Sequence, residues 1–175
     1  MGSRTNDGNL HEVRMGVFAA LHKPGLSIAD AARVLAQCRQ QIQNRATIED
    51  MAREAELQLS GFRTSEELEL YYDIGQKGRN MGFVSKGWDE PGFRIGEVLS
   101  LPTEAVEAFC KRAPKLMDFF STNGVTCTWR FMPDGLELGL MDNIYSEGLN
   151  LATLLHSLEA VNQCVSRVKS LLNLE

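Results

Sequence analysis

The chain has no apolar run close to the ~20 residues that a bilayer-crossing helix needs. Its first residues also lack the apolar core of a secretion signal. Both absences point to a cytoplasmic protein with no membrane partner. Clustered basic charge is missing too: 18 Lys and Arg stand against 23 Asp and Glu, mixed along the 175 residues, for a net charge of −5. General binding to nucleic acid is therefore not expected, because phosphate affinity comes from grouped Lys and Arg. The four cysteines, Cys38, Cys110, Cys127 and Cys164, show neither a CxxC pair nor a Cys/His ligand spacing. That excludes a zinc cluster of familiar type. Each sits among apolar neighbours, so all four are expected as buried, unreactive thiols. Met1-Gly2-Ser3 would suit N-myristoylation only with Ser or Thr at the sixth position, where Asn6 stands.

What is present is a sequence 43% hydrophobic, enough to build a core. Residues 1–8 read as a disordered tail, 9–60 as a helical segment and 66–175 as an α+β domain. In the helical segment Leu10, Val13, Val17, Phe18 and Leu21 recur at helical spacing until Lys23-Pro24-Gly25 stops them. Ser27 with Asp30 opens a second helix along Ile28, Ala31, Leu35, Cys38 and Ile42, with a stop at Asn44. Thr47 with Asp50 opens a third, through Ile48, Met51, Ala55 and Leu59.

The period then changes. Leu68, Leu70, Tyr72 and Ile74 alternate with Glu67, Glu69, Tyr71 and Asp73, the mark of a half-buried strand. Gly75-Gln76-Lys77-Gly78 reads as a turn, Met81 and Phe83 as a short strand, 85–92 as a loop, and Phe93, Ile95 and Val98 as a third strand. Pro102 starts a helix with Val106, Phe109, Cys110, Ala113, Met117 and Phe120 on its apolar side, which Pro114 should kink or divide. Val125, Cys127, Trp129 and Phe131 alternate toward the core, Pro133-Asp134-Gly135 turns, and Leu136, Leu138 and Leu140 return as the second arm of a hairpin. A long helix from Asn150 to Leu172 closes the chain on an almost unbroken leucine and valine stripe. The expected fold is α+β: N-terminal helices, then a mainly antiparallel sheet in βββ-α-ββ-α order, ending in that helix.

Three features invite a chemical reading. The Gly75–Gly82 stretch carries Lys77 and Arg79, but a phosphate loop must open a helix, and here a strand follows. Residues 27–60 could form a helix-turn-helix, making a DNA-binding regulator the alternative function. However, Glu49, Asp50, Glu54 and Glu56 against Arg53 would repel phosphates. His11, His22 and His156 fall into no recognised catalytic arrangement, so no catalytic, metal or cofactor residue is assigned. A small enzyme without a motif is the remaining alternative. The last helix is more informative. Opposite its leucine stripe lie Ala152, His156, Ala160 and Gln163, with only Glu159, Arg167 and Lys169 charged between Asn150 and Leu172. Interface cores are depleted of charge in this way, which makes those four residues a candidate protein interface.

Between Glu66 and Leu172, Asp142-Asn143, then Gly148-Leu149-Asn150-Leu151 and the leucine-rich helix, together with the element order, resemble the type III secretion chaperone-like fold shared by YbjN-type proteins. Three helices, in place of one, precede the first strand. The resemblance implies a dimeric, non-enzymatic protein that binds other polypeptides. The expectation is thus a protein-binding adaptor, chaperone-like or regulatory factor, forming a homodimer and needing no cofactor.

Overall fold

Ser27 opens the first helix that the computed structural model describes, within residues 27–174 together with Ala19 and Gly25. The tail over 1–8, the helix over 9–22, His11 and His22 lie outside the described residues. Helix α1 spans Ile28–Glu54. The Ser27 hydroxyl accepts from the Asp30 N–H at 3.1 Å and donates to the Asp30 carboxylate at 2.6 Å, which satisfies one of the donors a helix start leaves open. The expected stop at Asn44 is absent. Asn44, Ile48, Met51 and Ala52 are the buried positions of one unbroken helix, spaced as a single face. A helix-turn-helix over 27–60 therefore has no turn. The chain falls into two units, Met1–Gln43 and Asn44–Glu175. In the first, Ile28, Leu35 and Ile42 of the expected stripe are exposed.

Past α1 the backbone reverses at Glu56, with φ 54°, and enters β1, Gln58–Arg63. The sequence reads this stretch as helix, because Leu59 continues the preceding stripe of Ile48, Met51 and Ala55. β2 covers Leu68–Gln76, β3 Arg79–Gly87 and β4 Gly92–Pro102. β5 is Thr126–Met132 and β6 Gly135–Tyr145. They form one six-stranded sheet in the order β1-β2-β3-β4-β6-β5, every neighbouring pair antiparallel. The connections are short, as antiparallel pairing allows, except from β4 to β5, where the helix Thr103–Thr122 intervenes. Lys77 and Gly78 join β2 to β3, both at positive φ, 50° and 78°, the backbone of a tight two-residue hairpin turn. β3 runs on to Gly87, so the expected loop over 85–92 is shorter. Val98 falls on the other side of β4 from Leu99 and is exposed.

Helix α2 spans Thr103–Thr122 with Pro102 at its N-cap. It continues through Pro114 instead of dividing there. The Pro114 ring has no N–H to offer the Cys110 carbonyl, and Cys110 lies on the exposed side of the helix. After a 3₁₀ turn at Ser146–Gly148, α3 runs from Leu151 to Leu172. Asn150 accepts from the Thr153 N–H at 3.0 Å, and its own N–H donates back to Thr153 Oγ1 at 3.0 Å, a reciprocal cap. Asn173, at φ 53°, ends the helix.

In the second unit the helices lie on one face of the sheet. Leu70, Tyr72, Ile74, Val84 and Phe93 pack with Ile48 and Met51 of α1 and Leu154 and Leu158 of α3. Leu99, Leu101, Leu136, Leu138 and Leu140 pack with α2 and the rest of α3. Trp129 departs from its expected place. It sits opposite Leu138 in the ladder and so shares that residue's face, but it is 55% exposed and Phe131 is 67% exposed. β5 is the sheet's edge, and the helices cover its Cys127 end but leave Trp129 and Phe131 open.

Candidate functional site

Helix α3 is held from both ends. Asn162 donates to the carbonyl of Met81 on β3 at 3.0 Å, the Arg112 guanidinium of α2 reaches the Leu171 carbonyl, and Ser157 donates to Asp142 of β6. Asp142, one of the residues that carry the family resemblance, thus anchors the helix to the sheet. The outer side of α3 carries two hollows. A groove of about 620 Å³ is floored by Leu57, Met81, Phe119, Leu155 and Leu158 and edged by Gln163, Ser166 and Ser170. Along α3 it extends from Leu155 to Ser170, about 22 Å at ~1.5 Å per residue. Across the helix, a hollow of about 460 Å³ is lined by Thr122, Asn123 and Gly124 with His156, Ala160 and Gln163. Glu159 and Gln163 line both and are hydrogen-bonded at 3.2 Å, so they form the ridge between.

The four residues of the expected interface therefore separate. His156, Ala160 and Gln163 come together in the smaller hollow, whereas Ala152 is exposed on the first turn. Ala160 is 6% exposed and belongs to the core, which corrects its place on a free surface: α2 packs beside it and leaves it as a floor. Leu155, expected within the buried stripe, is exposed instead and forms part of the groove.

The site that sequence reasoning missed is a buried charge network at the other end of the sheet. Lys86 Nζ lies 3.1 Å from Glu69, with both side chains under a tenth exposed. Asn44 of α1 donates to the same carboxylate at 2.5 Å, and Lys86 also donates to the Glu90 carbonyl at 2.7 Å. Alternation along β2 places Glu69 on the solvent side. A register shift between Leu68 and Leu70 turns it inward, as a bulge does. Nearby, Tyr72 donates to Glu49 at 2.6 Å, and Arg45 pairs with Glu49 at 2.7 Å. Burial, then the Glu49 bond, push the Tyr72 hydroxyl up to about 12. The Tyr72 hydroxyl and Arg45 hold the Glu49 carboxyl below its usual range. On the covered face Glu97 is raised by burial, which Lys169 of α3 partly opposes. These groups fasten α1 and α3 to the sheet.

Among the described residues no group of three or more His, Cys, Asp or Glu is placed to hold a metal ion, and no helix is long and apolar enough to cross a membrane. No family model matches the chain, and no curated protein matches it. Among solved structures it is similar to an uncharacterized protein from Methanothermobacter thermautotrophicus, at 15% identity and a TM-score of 0.60, over 74% of this chain and 96% of that one. At that identity the likeness is one of fold, and it agrees with the α+β class.

Proposed function

We propose that the chain is a non-enzymatic polypeptide-binding protein, an adaptor or chaperone-like factor, that receives an amphipathic helix of its partner along α3. The groove of about 620 Å³ carries this reading. Its length suits about four helical turns. Leu155 and Leu158 with Met81 and Phe119 offer the apolar floor that a helix lying in a groove requires. Along the rim neutral Gln163, Ser166 and Ser170 alternate with Glu159 and Arg167, one charge of each sign, which a partner helix can meet with its polar flanks while its apolar face fills the floor. The resemblance to the type III secretion chaperone-like fold points the same way. Four free thiols suit a reducing compartment, and the protein is read as cytoplasmic.

Fluorescent amphipathic peptides of about four turns, followed by anisotropy, test the reading. Peptides with a continuous apolar face should bind, scrambled ones should not, and Leu155→Arg should weaken binding at least about tenfold, since a charge in an apolar floor is poorly solvated. Equal affinity for Leu155→Arg and the parent would refute the groove as the site.

A further inference from the structure

The two edges of the sheet are built differently. β1 is irregular: its register shifts between Ser60 and Arg63, and Gly61 sits at φ 65°. Bulges of this kind keep an edge from accepting another strand. β5 has no such feature. It pairs with β6 without interruption from Thr126↔Met141 to Met132↔Gly135, and its sequence, TCTWRFM, contains neither Pro nor Lys. Its outer N–H and C=O groups form a straight, unguarded ladder, and beside them stand Trp129 and Phe131, each more than half exposed.

We infer that β5 is a homodimer interface, in which two copies pair antiparallel about a two-fold axis at Trp129 and join their sheets. Trp129 is the middle residue of Thr126–Met132, so an in-register pairing sets it opposite its own copy. The same symmetry sets Cys127 opposite the partner's Phe131 and Thr128 opposite the partner's Arg130. Directly opposed residues share a face. On the helix-bearing side, then, Cys127, Trp129 and Phe131 meet only each other, an apolar column against an apolar column. On the other side Arg130, the one charged residue of β5, meets a threonine, and its charge is already answered by Glu137 at 2.7 Å. No like charges oppose across the seam. The strand is complementary to itself, as a two-fold contact requires, and this explains why large aromatics stand uncovered on an edge. The inference is independent of the α3 groove and holds or fails without it.

Sedimentation or light scattering across the micromolar range tests it. The parent should be a dimer. Trp129→Lys, which sets two ammonium groups together on the axis, should be a monomer with unchanged circular dichroism. Thr128→Glu and Thr128→Lys test the register on an exposed position that folding does not depend on. Facing the partner's Arg130, the acidic variant should dimerise more tightly than the parent and the basic one more weakly. Two symmetric cross-strand pairs should separate their dissociation constants by about tenfold. A parent that stays monomeric, a Trp129→Lys variant that stays dimeric, or Thr128→Glu and Thr128→Lys variants of equal affinity would each overturn the proposal.

Discussion

Cys110 and Cys164 differ sharply in environment, although the sequence treats them alike. The apolar stripe of α2 is centred on Ala105, Phe109, Leu116 and Phe120. Cys110 follows Phe109 by a ~100° turn of the helix, which carries it out to solvent, so it corrects the expectation of four buried thiols. Cys164 is 0% exposed, and burial pushes its thiol up to about 11. Burial does the same to Cys127, also to about 11. Only the thiolate attacks an alkylating reagent. Timed labelling at neutral pH, read by peptide mass spectrometry, should therefore modify Cys110 first and half-buried Cys38 more slowly. Cys127 and Cys164 should react only on unfolding. Equal rates at all four would show that Cys127 and Cys164 reach solvent in the folded chain.

Among the elements, the contact of α1 with β2 and β3 depends on a charge that must stay paired. Lys86 and Glu69 are both buried, and taking charges out of water is repaid only while each keeps its partner. Lys86→Met would strand the Glu69 carboxylate beside Asn44 and should destabilise the fold by about 3–5 kcal/mol in urea denaturation. Changing Glu69 to Leu in the same chain should recover much of that loss. A single-variant loss below about 1 kcal/mol would mean that water reaches the site. The same region shows where sequence patterns stop being legible. Alternation from Leu68 to Ile74 located β2 correctly, yet nothing in it signals the bulge that reverses Glu69. Likewise, the stripe running through Met51, Ala55 and Leu59 reads as helix, although Leu59 already belongs to β1, because a short strand entered from a helix end can share an apolar position with it. Periodicity reports which residues are apolar on a face. It does not report a change of period within one or two residues.

At the scale of the molecule, the parts legible in the sequence are those whose two faces differ most. The β5–β6 hairpin, with its Pro133-Asp134 turn, and α3, with its cap and leucine stripe, both lie where they were expected. The less legible parts depend on neighbours. Alternation gave Trp129 the correct face but could not show that β5 would be an edge, and the α3 spacing could not show that α2 would cover Ala160. Folding has a consequence for the whole stability curve, because several acidic protons are retained, those of Cys127, Cys164 and Tyr72 on the helix-covered face of the sheet and that of Tyr71 on its other face. Burial raises the thiols of Cys127 and Cys164 from near 9 to about 11. Burial, with Asp73 and Glu49 respectively, raises the hydroxyls of Tyr71 and Tyr72 from near 10 to about 12. In each case the native chain holds its proton at a pH where the unfolded chain has released it. The unfolded state then binds fewer protons, and stability falls as pH rises. The contribution of these groups is complete below about pH 9. It should decline first through the thiol window from about pH 9 to 11, and then through the tyrosine window from about 10 to 12. Urea midpoints measured from pH 7 to 11 should accordingly drop with increasing slope above pH 9. Cys127→Ala should flatten the early part of that decline, and Tyr72→Phe should leave it in place, since the phenol titrates later. A parent midpoint that stays level to pH 11, or a Cys127→Ala curve parallel to the parent's, would show that these thiols reach solvent and that the seam between β5 and the helices is open.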